Sequence, residues 1–383
     1  MTDTEQAVTA PPAPATIRWF ETPGELDAWL KERPQDQPLV LDTEFERVST
    51  FYPIPGLVQL GAGEDFFLID PSVAEQSHEF ARTLADPQRP KLLYAMSEDL
   101  ELFRHWLDVP LRGVVDLQIG AALAGAGFSV GYAPLVETLF GETLDKGATR
   151  SDWLSRPLTE AQQRYALDDI RFLEPLYGWV VKRVAQRDLL DALAEEPQRF
   201  ADELASTPDP EQHYLKIRGG WALTREQQGV LQALAAWRER ECARLDRPRN
   251  RVLNDALLIA IAERLPGSLG ALSGVEGIHG GQVKRHGQVL LDLVRSGRDA
   301  DHSRLEPIPR PLTREQQALY KRVKRSVNGV AEQWDVPMEL LAPRKRLERV
   351  IQAGTLAGDT FFTGWRARLL QPVVSDIEEL LQP

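Results

Sequence analysis

The sequence predicts a mixed α/β domain that is followed by two all-helical modules. Three apolar segments typical of strands occur in succession near the N-terminus, and alternating helices and strands come after them, which favours a mixed sheet. The pattern from Leu117 to Leu204 is then almost entirely helical. The hexapeptide Leu-Thr-Arg-Glu-Gln-Gln begins at Leu223 and again at Leu312, and each copy opens a further helical segment. This repeat indicates two related modules.

Each element of the α/β domain has a local pattern that predicts it. Thr22 and Pro23 suit a helix N-cap and first turn, and the apolar run before Asp42 favours a buried strand. Two apolar runs after the turn at Tyr52 indicate a meander. The predicted order is strand 16–20, helix 22–32, a strand within 38–47, strands 57–61 and 66–70, helix 72–84, strand 91–96, helix 98–107 and strand 114–117.

Stretches rich in proline, glycine and charged residues mark the expected domain boundaries. The Ala- and Pro-rich N-terminal segment predicts a disordered tail. Thr159, Thr224 and Thr313 each precede a Gln by three residues, a capping-box arrangement that starts a helix. The predicted organisation is a tail over 1–17, an α/β domain over 18–205, a linker over 206–222, a helical module over 223–298, a linker over 299–311 and a second helical module over 312–383.

Composition excludes several classes of protein. The longest apolar run, residues 256–262, is far shorter than the roughly 18 to 20 residues that a membrane span needs. Residues 1–15 lack the pattern of a secretory signal. Cys242 is the only cysteine, which excludes an intrachain disulfide and a thiolate zinc cluster and favours a cytoplasmic location. With only six scattered histidines, any metal site is expected to use oxygen ligands.

Charge is divided unequally along the chain. The formal net charge is −12, yet residues 206–383 carry 27 Lys and Arg against 22 Asp and Glu, which leaves 18 against 35 for residues 1–205. The acidic first half argues against a simple nucleic-acid-binding domain there, whereas the basic second half could contact phosphates. Solvated surfaces without a ligand are the alternative.

Two carboxylates occupy one face of the strand predicted within residues 38–47. Asp42 and Glu44 point the same way because strand side chains alternate with a period of two. Like charges at close range repel and raise one another's pKa, so the pair is costly unless a cation lies between them. A divalent metal ion bound between the two carboxylates would remove this repulsion. An edge strand with solvated acids is the alternative, because Asp-x-Glu is a short motif.

Two later segments carry acids that could complete a metal site. Asp99 falls in the first turn of a helix that follows a strand, although helix capping explains an acid there equally well. Tyr165 and Asp169 are four residues apart and share a face of a predicted helix. If the carboxylate binds a metal, the phenol oxygen can position the water that the metal activates. A surface helix with its Tyr packed on the sheet is the alternative.

Three motifs in this order resemble those of the DEDD exonuclease superfamily with tyrosine in the last motif, namely Leu41-Asp42-Thr43-Glu44-Phe45, Ser97-Glu98-Asp99-Leu100 and Tyr165-x-x-x-Asp169. Further segments resemble the ribonuclease D family: Tyr52-Pro53, Leu57-Val-Gln-Leu60, Ala95-Met-Ser-Glu-Asp-Leu-Glu101, Leu144-Asp-Lys146, Ser151-Asp-Trp-Leu-Ser-Arg-Pro-Leu-Thr159 and Tyr165-Ala-Leu-Asp-Asp169. The helical modules are similar to the two HRDC domains that follow the nuclease domain in that family. The resemblance covers nearly the whole chain after the tail.

This resemblance implies a ribonuclease-H-like nuclease domain that removes nucleotides from RNA 3′ ends, including those of transfer RNA precursors, and releases nucleoside 5′-monophosphates. It implies RNA as the partner. No nucleotide cofactor and no membrane are expected, because the Gly-rich segment 267–281 lacks the phosphate-binding motif and no apolar run is long enough to span a bilayer. Two divalent ions are implied as cofactors, Mg²⁺ or Mn²⁺, which take oxygen ligands. Carried over by position, Tyr165 would orient the attacking water, and the metal ligands would be Asp42, Glu44, Asp99 and Asp169.

The sequence leaves the roles of two further acids, Asp168 and Asp116, undecided. Asp168 also lies near the helical face of Tyr165, so spacing alone does not choose between it and Asp169. The family pattern chooses Asp169. Asp116 occupies a position where the family also carries an acid, but it could equally cap the next helix, so it is not included among the metal ligands.

Basic and aromatic residues are candidate RNA contacts. Lys146, Arg150 and Trp153 lie between the second and third motifs and could hold a phosphate or stack a terminal base. A salt-bridged loop anchored by a buried Trp is the alternative. In the helical modules the candidates are Lys284-Arg285, Lys321–Arg325, Arg344–Arg346 and Trp365-Arg366, with surface charge unconnected with RNA as the alternative.

Two other functions compete with that of an exoribonuclease. A DNA exonuclease of the same superfamily would use the same acids, because discrimination depends on contacts to the 2′-OH. A non-catalytic RNA-binding adaptor could keep the fold, but the presence of all four acids and the tyrosine argues against it. Incubation of end-labelled RNA and DNA with the protein in Mg²⁺ or EDTA would distinguish these three functions.

Overall fold

A computed structural model of the chain describes residues 17–205, 209–357 and 362–382. The predicted tail over 1–17 lies, except for Ile17, outside the described residues. The contacts between residues divide the chain into two compact units. The first unit comprises Met1–Glu46, Ile54–Ala205 and Leu312–Pro383, and the second comprises Arg47–Pro53 and Ser206–Pro311.

Six strands form one mixed sheet in the described part of the first unit. Their spatial order is β1-β4-β3-β2-β5-β6, so β2 lies inside the sheet, antiparallel to β3 and parallel to β5. The prediction of a mixed sheet is confirmed. The strands are β1 (Trp19–Phe20), β2 (Leu39–Glu46), β3 (Ile54–Ala62), β4 (Asp65–Ile69), β5 (Lys91–Leu93) and β6 (Val114–Asp116).

Helices cover both faces of this sheet. Thr22 caps the first helix through its side chain, with Pro23 at the first helical position, as the sequence predicts. The helices up to residue 205 are α1 (Pro23–Glu32), α2 (Pro71–Gln76), α3 (His78–Ala85), α4 (Ser97–Trp106), α5 (Leu117–Leu123), α6 (Tyr132–Phe140), α7 (Glu160–Arg171), α8 (Leu173–Gln186) and α9 (Leu190–Ala205). None of the helices in the described ranges combines the length and apolarity needed to cross a membrane.

The alternation of side chains along the strands builds two separate cores. Val40 on β2 belongs to the core on the α5, α7 and α8 side of the sheet. Its neighbours Leu39 and Leu41 belong to the other core, which includes residues of α1, α3 and α4. The period of two therefore decides which helices each residue of β2 can reach.

Two predicted elements differ from the structure. A single helix over 72–84 is wrong, because the chain breaks at Ser77 and continues as two helices. The Ser77 hydroxyl accepts a hydrogen bond from the Phe80 amide and so caps the second helix. The strand predicted over 91–96 ends at Leu93, since the amides of Ala95 and Met96 donate to the Asp116 carboxylate.

The second unit is helical and contains its own apolar core. The three capping boxes predicted at Thr159, Thr224 and Thr313 are all present, the middle one in this unit. Residues 47–53, the loop that joins β2 to β3, also belong to this unit. Its helices are α10 (Arg225–Leu245), α11 (Arg249–Val252), α12 (Asp255–Arg264), α13 (Leu269–Ser273) and α14 (Gly280–Asp299).

Residues from 312 onward lie in the first unit, and their first three helices match the first three α-helices of the second unit in length. Their helices are α15 (Arg314–Trp334), α16 (Met338–Leu341), α17 (Arg344–Ala353) and α18 (Gly364–Leu381). Both α10 and α15 have 21 residues and end at an Asp in the left-handed conformation, Asp246 and Asp335. A four-residue helix capped by Pro248 or Pro337 follows, and then a helix of ten residues.

A buried ion pair anchors these C-terminal helices within the first unit. Arg366 on α18 donates two hydrogen bonds to the carboxylate of Glu196 on α9, at 2.5 and 2.6 Å. Each of the two side chains is 3% exposed. Burial alone would raise the pKa of Glu196, but hydrogen bonds from Arg199 and Arg366 lower it to about 2. The pair therefore stays ionised across the physiological pH range.

Candidate active site

The first two acids lie on the face of β2 that also carries Val40. Asp42 is opposite Gln59 and Glu44 is opposite Leu57 in the antiparallel pairing with β3. The register shifts between Glu44 and the next residue, so the ladder is irregular where the acids end. Both carboxylates are partly exposed and face the helix α7 side of the sheet.

Helix α7 brings the third acid to this pair. One carboxylate oxygen from each of Asp42, Glu44 and Asp169 can be chosen so that all three lie within 4.8 Å of one another. Asp168 behaves differently, since its carboxylate accepts a hydrogen bond from Arg171 Nε at 2.5 Å and its backbone carbonyl accepts one from the Tyr132 hydroxyl at 2.9 Å. The structure thus places Asp169, and not Asp168, in the acidic cluster.

The fourth acid reaches the site from the opposite face of the sheet. Asp99 lies in the first turn of α4 and is 6% exposed. Thr43, between Asp42 and Glu44, points to that face and donates a hydrogen bond from Oγ1 to Asp99 Oδ1 at 2.5 Å. Asp99 is not one of the three acids grouped by distance, but its charge acts on both Asp42 and Glu44.

Burial is the main reason why the pKa values of the carboxyl groups in this cluster are raised. It raises the pKa of Asp42 well above its usual range, and the charges of Asp99, Asp169 and Glu44 raise it further. The pKa of Glu44 rises to about 9, through burial and then the charges of Asp169 and Asp99. Burial also raises the pKa values of Asp99 and Asp169 to about 7 each.

This electrostatic pattern suits a site for cations. The charged groups that shift the pKa values of Asp42, Glu44 and Asp169 are all carboxylates. Without a cation such a cluster can avoid mutual repulsion only by staying protonated. Oxygen donors held this close together are the ligands that hard divalent ions prefer, and ion binding would displace the protons. The donor set therefore fits divalent metal ions.

Tyr165 stands beside the cluster on the same helix as Asp169. Its hydroxyl hydrogen-bonds with Asp169 and with Thr149, and its ring lies 5.9 Å from that of Trp153. Burial, followed by the charge of Asp169, raises the pKa of Tyr165 above its usual value, so the phenol stays protonated. It can therefore donate a hydrogen bond into the site.

The segment before α7 is fixed on β3 by Arg156. Arg156 donates from Nε to Asp70 at 2.9 Å and from Nη2 to the carbonyl of Gly56 at 2.6 Å. A Cβ at Gly56 would lie 2.8 Å from Cβ of Trp153 and 3.1 Å from the carbonyl oxygen of Glu44. Glycine therefore permits the close approach that holds Trp153 under Tyr165.

The candidate substrate-binding residues differ in exposure. Lys146 and Arg150 are exposed. Trp153 is 3% exposed and belongs to the apolar core of the first unit, as in the alternative of a loop anchored by a buried tryptophan. The prediction that Trp365 and Arg366 contact RNA is wrong, because both are buried and Arg366 is paired with Glu196.

The carboxylate of Asp116 is engaged by backbone amides. Its carboxylate accepts hydrogen bonds from the amides of Gln118 and Ile119 at the start of α5, as well as from those of Ala95 and Met96. The bonds from Ala95 and Met96 hold the turn between β5 and α4, directly before the first turn of α4 that carries Asp99. Asp116 therefore positions the second motif and caps a helix.

Sequence reasoning overlooked three side chains around the acids. Thr43 holds Asp99, Thr149 bonds to the hydroxyl of Tyr165, and Tyr132 donates to the backbone of α7 next to Asp169. Only Thr43 had a signal in the sequence, since its alternation with the neighbouring acids directs it to the other face. The other two come from segments whose approach to the site only the folded chain reveals.

Comparisons with known proteins agree with this geometry. Residues 17–185 match the family described as 3′-5′ exonuclease, and residues 227–294 match the HRDC domain. Ribonuclease D of Pseudomonas paraeruginosa is 36% identical over 380 residues, which cover 97% of this chain and 99% of the relative. Ribonuclease D of Escherichia coli is 34% identical over 82% of this chain and 84% of its own length.

The same relationship holds at the level of structure. The crystal structure of Escherichia coli RNase D, described as an exoribonuclease involved in structured RNA processing, superposes with a TM-score of 0.85 and 30% identity. The match covers 95% of this chain and 99% of that one. With a nuclease domain, an HRDC domain and relatives of this identity along almost its full length, the chain belongs to the ribonuclease D family of 3′–5′ exoribonucleases.

Proposed function

We propose that Asp42, Glu44, Asp99 and Asp169 bind two divalent ions and that Tyr165 orients the water that attacks the terminal phosphodiester. The acidic cluster carries this proposal, because three of its carboxylates approach within 4.8 Å and the charge of the fourth, Asp99, acts on Asp42 and Glu44. When bound, a pair of such ions activates the nucleophile and stabilises the leaving oxygen. Mg²⁺ is the proposed ion, with Mn²⁺ as an alternative.

Side chains of the protein position the attacking water and the acidic ligands. Tyr165 stays protonated, so its hydroxyl can hold a water beside Asp169 without removing the proton from that water. Thr43 donates a hydrogen bond to one oxygen of Asp99 and so orients this carboxylate. Asp168 is engaged by Arg171 and supports α7 instead. Each role is carried by a contact on the same sheet-and-helix scaffold, which limits motion at the site.

We propose that the substrates are structured RNAs with accessible 3′ ends, including transfer RNA precursors, and that nucleoside 5′-monophosphates are released. The likeness to a protein described as processing structured RNA supports this choice. The exposed Lys146 and Arg150 are proposed as phosphate contacts, whereas Trp153 would act by supporting Tyr165 from the core. A reducing cytoplasm is the proposed location, which suits the buried free thiol of Cys242.

We also propose that the tyrosine belongs to the third exonuclease motif and that residues 312–383 form a second HRDC-like module after the one over 223–298. The equal lengths of α10 and α15, the left-handed Asp at the end of each, and the matching short helices support a common origin. The proposed domain organisation is the one predicted from the sequence, with the nuclease domain over 18–205, linkers over 206–222 and 299–311, and the tail over 1–17.

One experiment tests the proposed chemistry. RNA and DNA of equal sequence, each labelled at the 5′ end, are incubated with the protein in Mg²⁺, in Mn²⁺ and in EDTA. We expect stepwise shortening of the RNA from its 3′ end with either ion and none in EDTA, and mononucleotides as the product. RNA shortening that continues in EDTA would contradict the metal site, and faster shortening of DNA would favour the competing DNA exonuclease.

A further inference from the structure

A cleft in the second unit combines basic and aromatic side chains. It has a volume of about 620 Å³ and lies between the loop that joins β2 to β3 and the short helix α11. Its lining includes Arg47, Thr50, Phe51, Arg249, Asn250 and Arg251. None of these six is acidic, although the chain as a whole carries a net charge of −12.

The loop side of the cleft is held by specific contacts within the unit. Asp246, the left-handed residue that ends α10, accepts hydrogen bonds from the amides of Phe51 and Tyr52 at 2.9 and 3.0 Å. Arg47 donates from Nε and Nη2 to the carbonyl of Phe51 at 3.2 and 3.1 Å. These bonds give the loop one conformation, so that its side chains form a preformed wall.

The helix side offers an ordered aromatic contact and a cation. The guanidinium of Arg249 lies 4.9 Å from the centre of the Phe51 ring and is held in place by Glu239. That ion pair offsets the charge of Arg249. Arg251 is exposed, and its side chain forms no hydrogen bond or ion pair with the residues that the structure describes. Arg251 thus presents an unpaired guanidinium to the cleft that Phe51 also lines.

We propose that this cleft binds the single-stranded segment of RNA that leads to the 3′ end, with a phosphate on Arg251 and a base against Phe51. Cationic side chains and an aromatic surface are what proteins use to hold single strands without reading their sequence. A duplex would not expose its bases to the Phe51 ring. The proposal rests on the proposed exonuclease function and adds an RNA contact away from the acids.

The loop that lines the cleft directly follows β2, the strand that carries Asp42 and Glu44. Arg47 follows Glu44 by three residues, so at about 3.3 Å per residue the backbone keeps the start of the loop within about 10 Å of that acid. The contact should assist RNAs of several nucleotides, whereas a dinucleotide bound at the acids has no further nucleotide to place in the cleft.

The test uses the full chain with three substitutions. Arg251→Gln removes the cation, Phe51→Leu keeps an apolar group in the core but removes the aromatic ring, and Arg295→Gln on α14 is the control, as its side chain is 66% exposed. Each is combined with Asp42→Asn to measure the affinity for an oligouridylate of about 20 nucleotides at several salt concentrations. Separately, each alone is assayed with Mg²⁺ on a uridine dinucleotide.

We expect Arg251→Gln to weaken binding of the longer RNA by about five- to tenfold and to reduce the slope of log affinity against log salt by about 0.7. Phe51→Leu should weaken binding without changing that slope. Dinucleotide cleavage should stay within about twofold of wild type for all three variants. Affinity and slope of Arg251→Gln equal to those of Arg295→Gln would overturn the proposal, as would an equal loss on the dinucleotide. Failure of the exonuclease function would appear differently, as absence of Mg²⁺-dependent cleavage by the unmodified chain.

Discussion

At the scale of single residues, Asp168 and Asp169 are neighbours in the chain with different environments. Asp169 lies in the acidic cluster, whereas Asp168 pairs with Arg171. We therefore expect Asp169→Asn to lower kcat/KM for RNA by about 1000-fold or more, because a metal ligand is neutralised. Asp168→Asn should retain most of the activity. Single-turnover assays with circular dichroism as a folding control measure this, and exchanged phenotypes would show that the ligand assignment is wrong.

The hydroxyl of Tyr165 can be removed without removing its ring. Tyr165→Phe should lower kcat by about 100-fold, which is the lower end of the effect of a positioned proton donor or acceptor. Affinity for RNA should stay within about twofold, since the ring still packs on Trp153. Comparison of kcat with the Kd measured in Ca²⁺ separates the two effects. A rise in Kd with unchanged kcat would mean that the phenol binds substrate instead.

In EDTA, which removes metal ions, the loss of the Glu44 proton should make the protein less stable as pH rises. Its folded-state pKa of about 9 is far above the ordinary value of 4.5, so the folded chain holds a proton that the unfolded chain releases. The stabilisation that this proton gives the folded state is complete below about pH 4.5 and is lost as pH rises through about 9. In EDTA, Tm should therefore fall over this range more steeply for wild type than for Glu44→Gln. Identical pH profiles for the two proteins would contradict the raised pKa.

At the scale of elements, α9 and α18 are joined by a charged pair in which each side chain is only 3% exposed. Removing one partner of a buried pair typically costs about 3–5 kcal/mol, because the other charge is left uncompensated. We expect Arg366→Met to lower the free energy of unfolding by about this amount, reduced to the extent that Arg199 still pairs with Glu196. Urea denaturation monitored by fluorescence would measure the loss.

A matched control lies two residues away on the same helix. Arg368 pairs with Asp188 and Asp191 at the surface, with its own side chain 36% exposed. Exposed pairs contribute about 0–1 kcal/mol, so Arg368→Met should be almost neutral. The double variant Glu196→Gln with Arg366→Met should recover part of the loss, since no unpaired charge remains. Equal losses for Arg366→Met and Arg368→Met would contradict a special role of the buried pair.

At the scale of the whole molecule, the chain should not tolerate removal of everything after the nuclease domain. Residues 312–383 belong to the first unit, and Trp365, Leu369 and Leu370 are buried in the same core as α5 and α8. A protein that ends at residue 210 would expose this apolar surface. We expect a lower Tm than that of the full chain and increased binding of a hydrophobic dye. An unchanged Tm would show that the C-terminal helices add nothing to the stability of the nuclease domain.

The sequence by itself determined most of the sheet-and-helix order, three threonine helix caps and the shared face of Asp42 and Glu44. These features depend on local rules: the period of two placed Asp42 and Glu44 on one face, and Thr-x-x-Gln started three helices. It could not decide between Asp168 and Asp169, since i+3 and i+4 positions are both close to the same helical face. The folded chain places the Asp169 carboxylate beside Asp42 and Glu44 and pairs that of Asp168 with Arg171.

Only the tertiary structure decided where the modules belong and which cations are available to RNA. Its charge and the adjacent Trp365 made Arg366 a candidate contact to RNA, yet the folded chain buries it and pairs it with Glu196, 170 residues away in the chain. The same long-range packing assigns residues 312–383 to the first unit and the loop 47–53 to the second. The physical reason is that a charge pattern is local, whereas burial and pairing depend on surfaces that meet only when distant segments fold together.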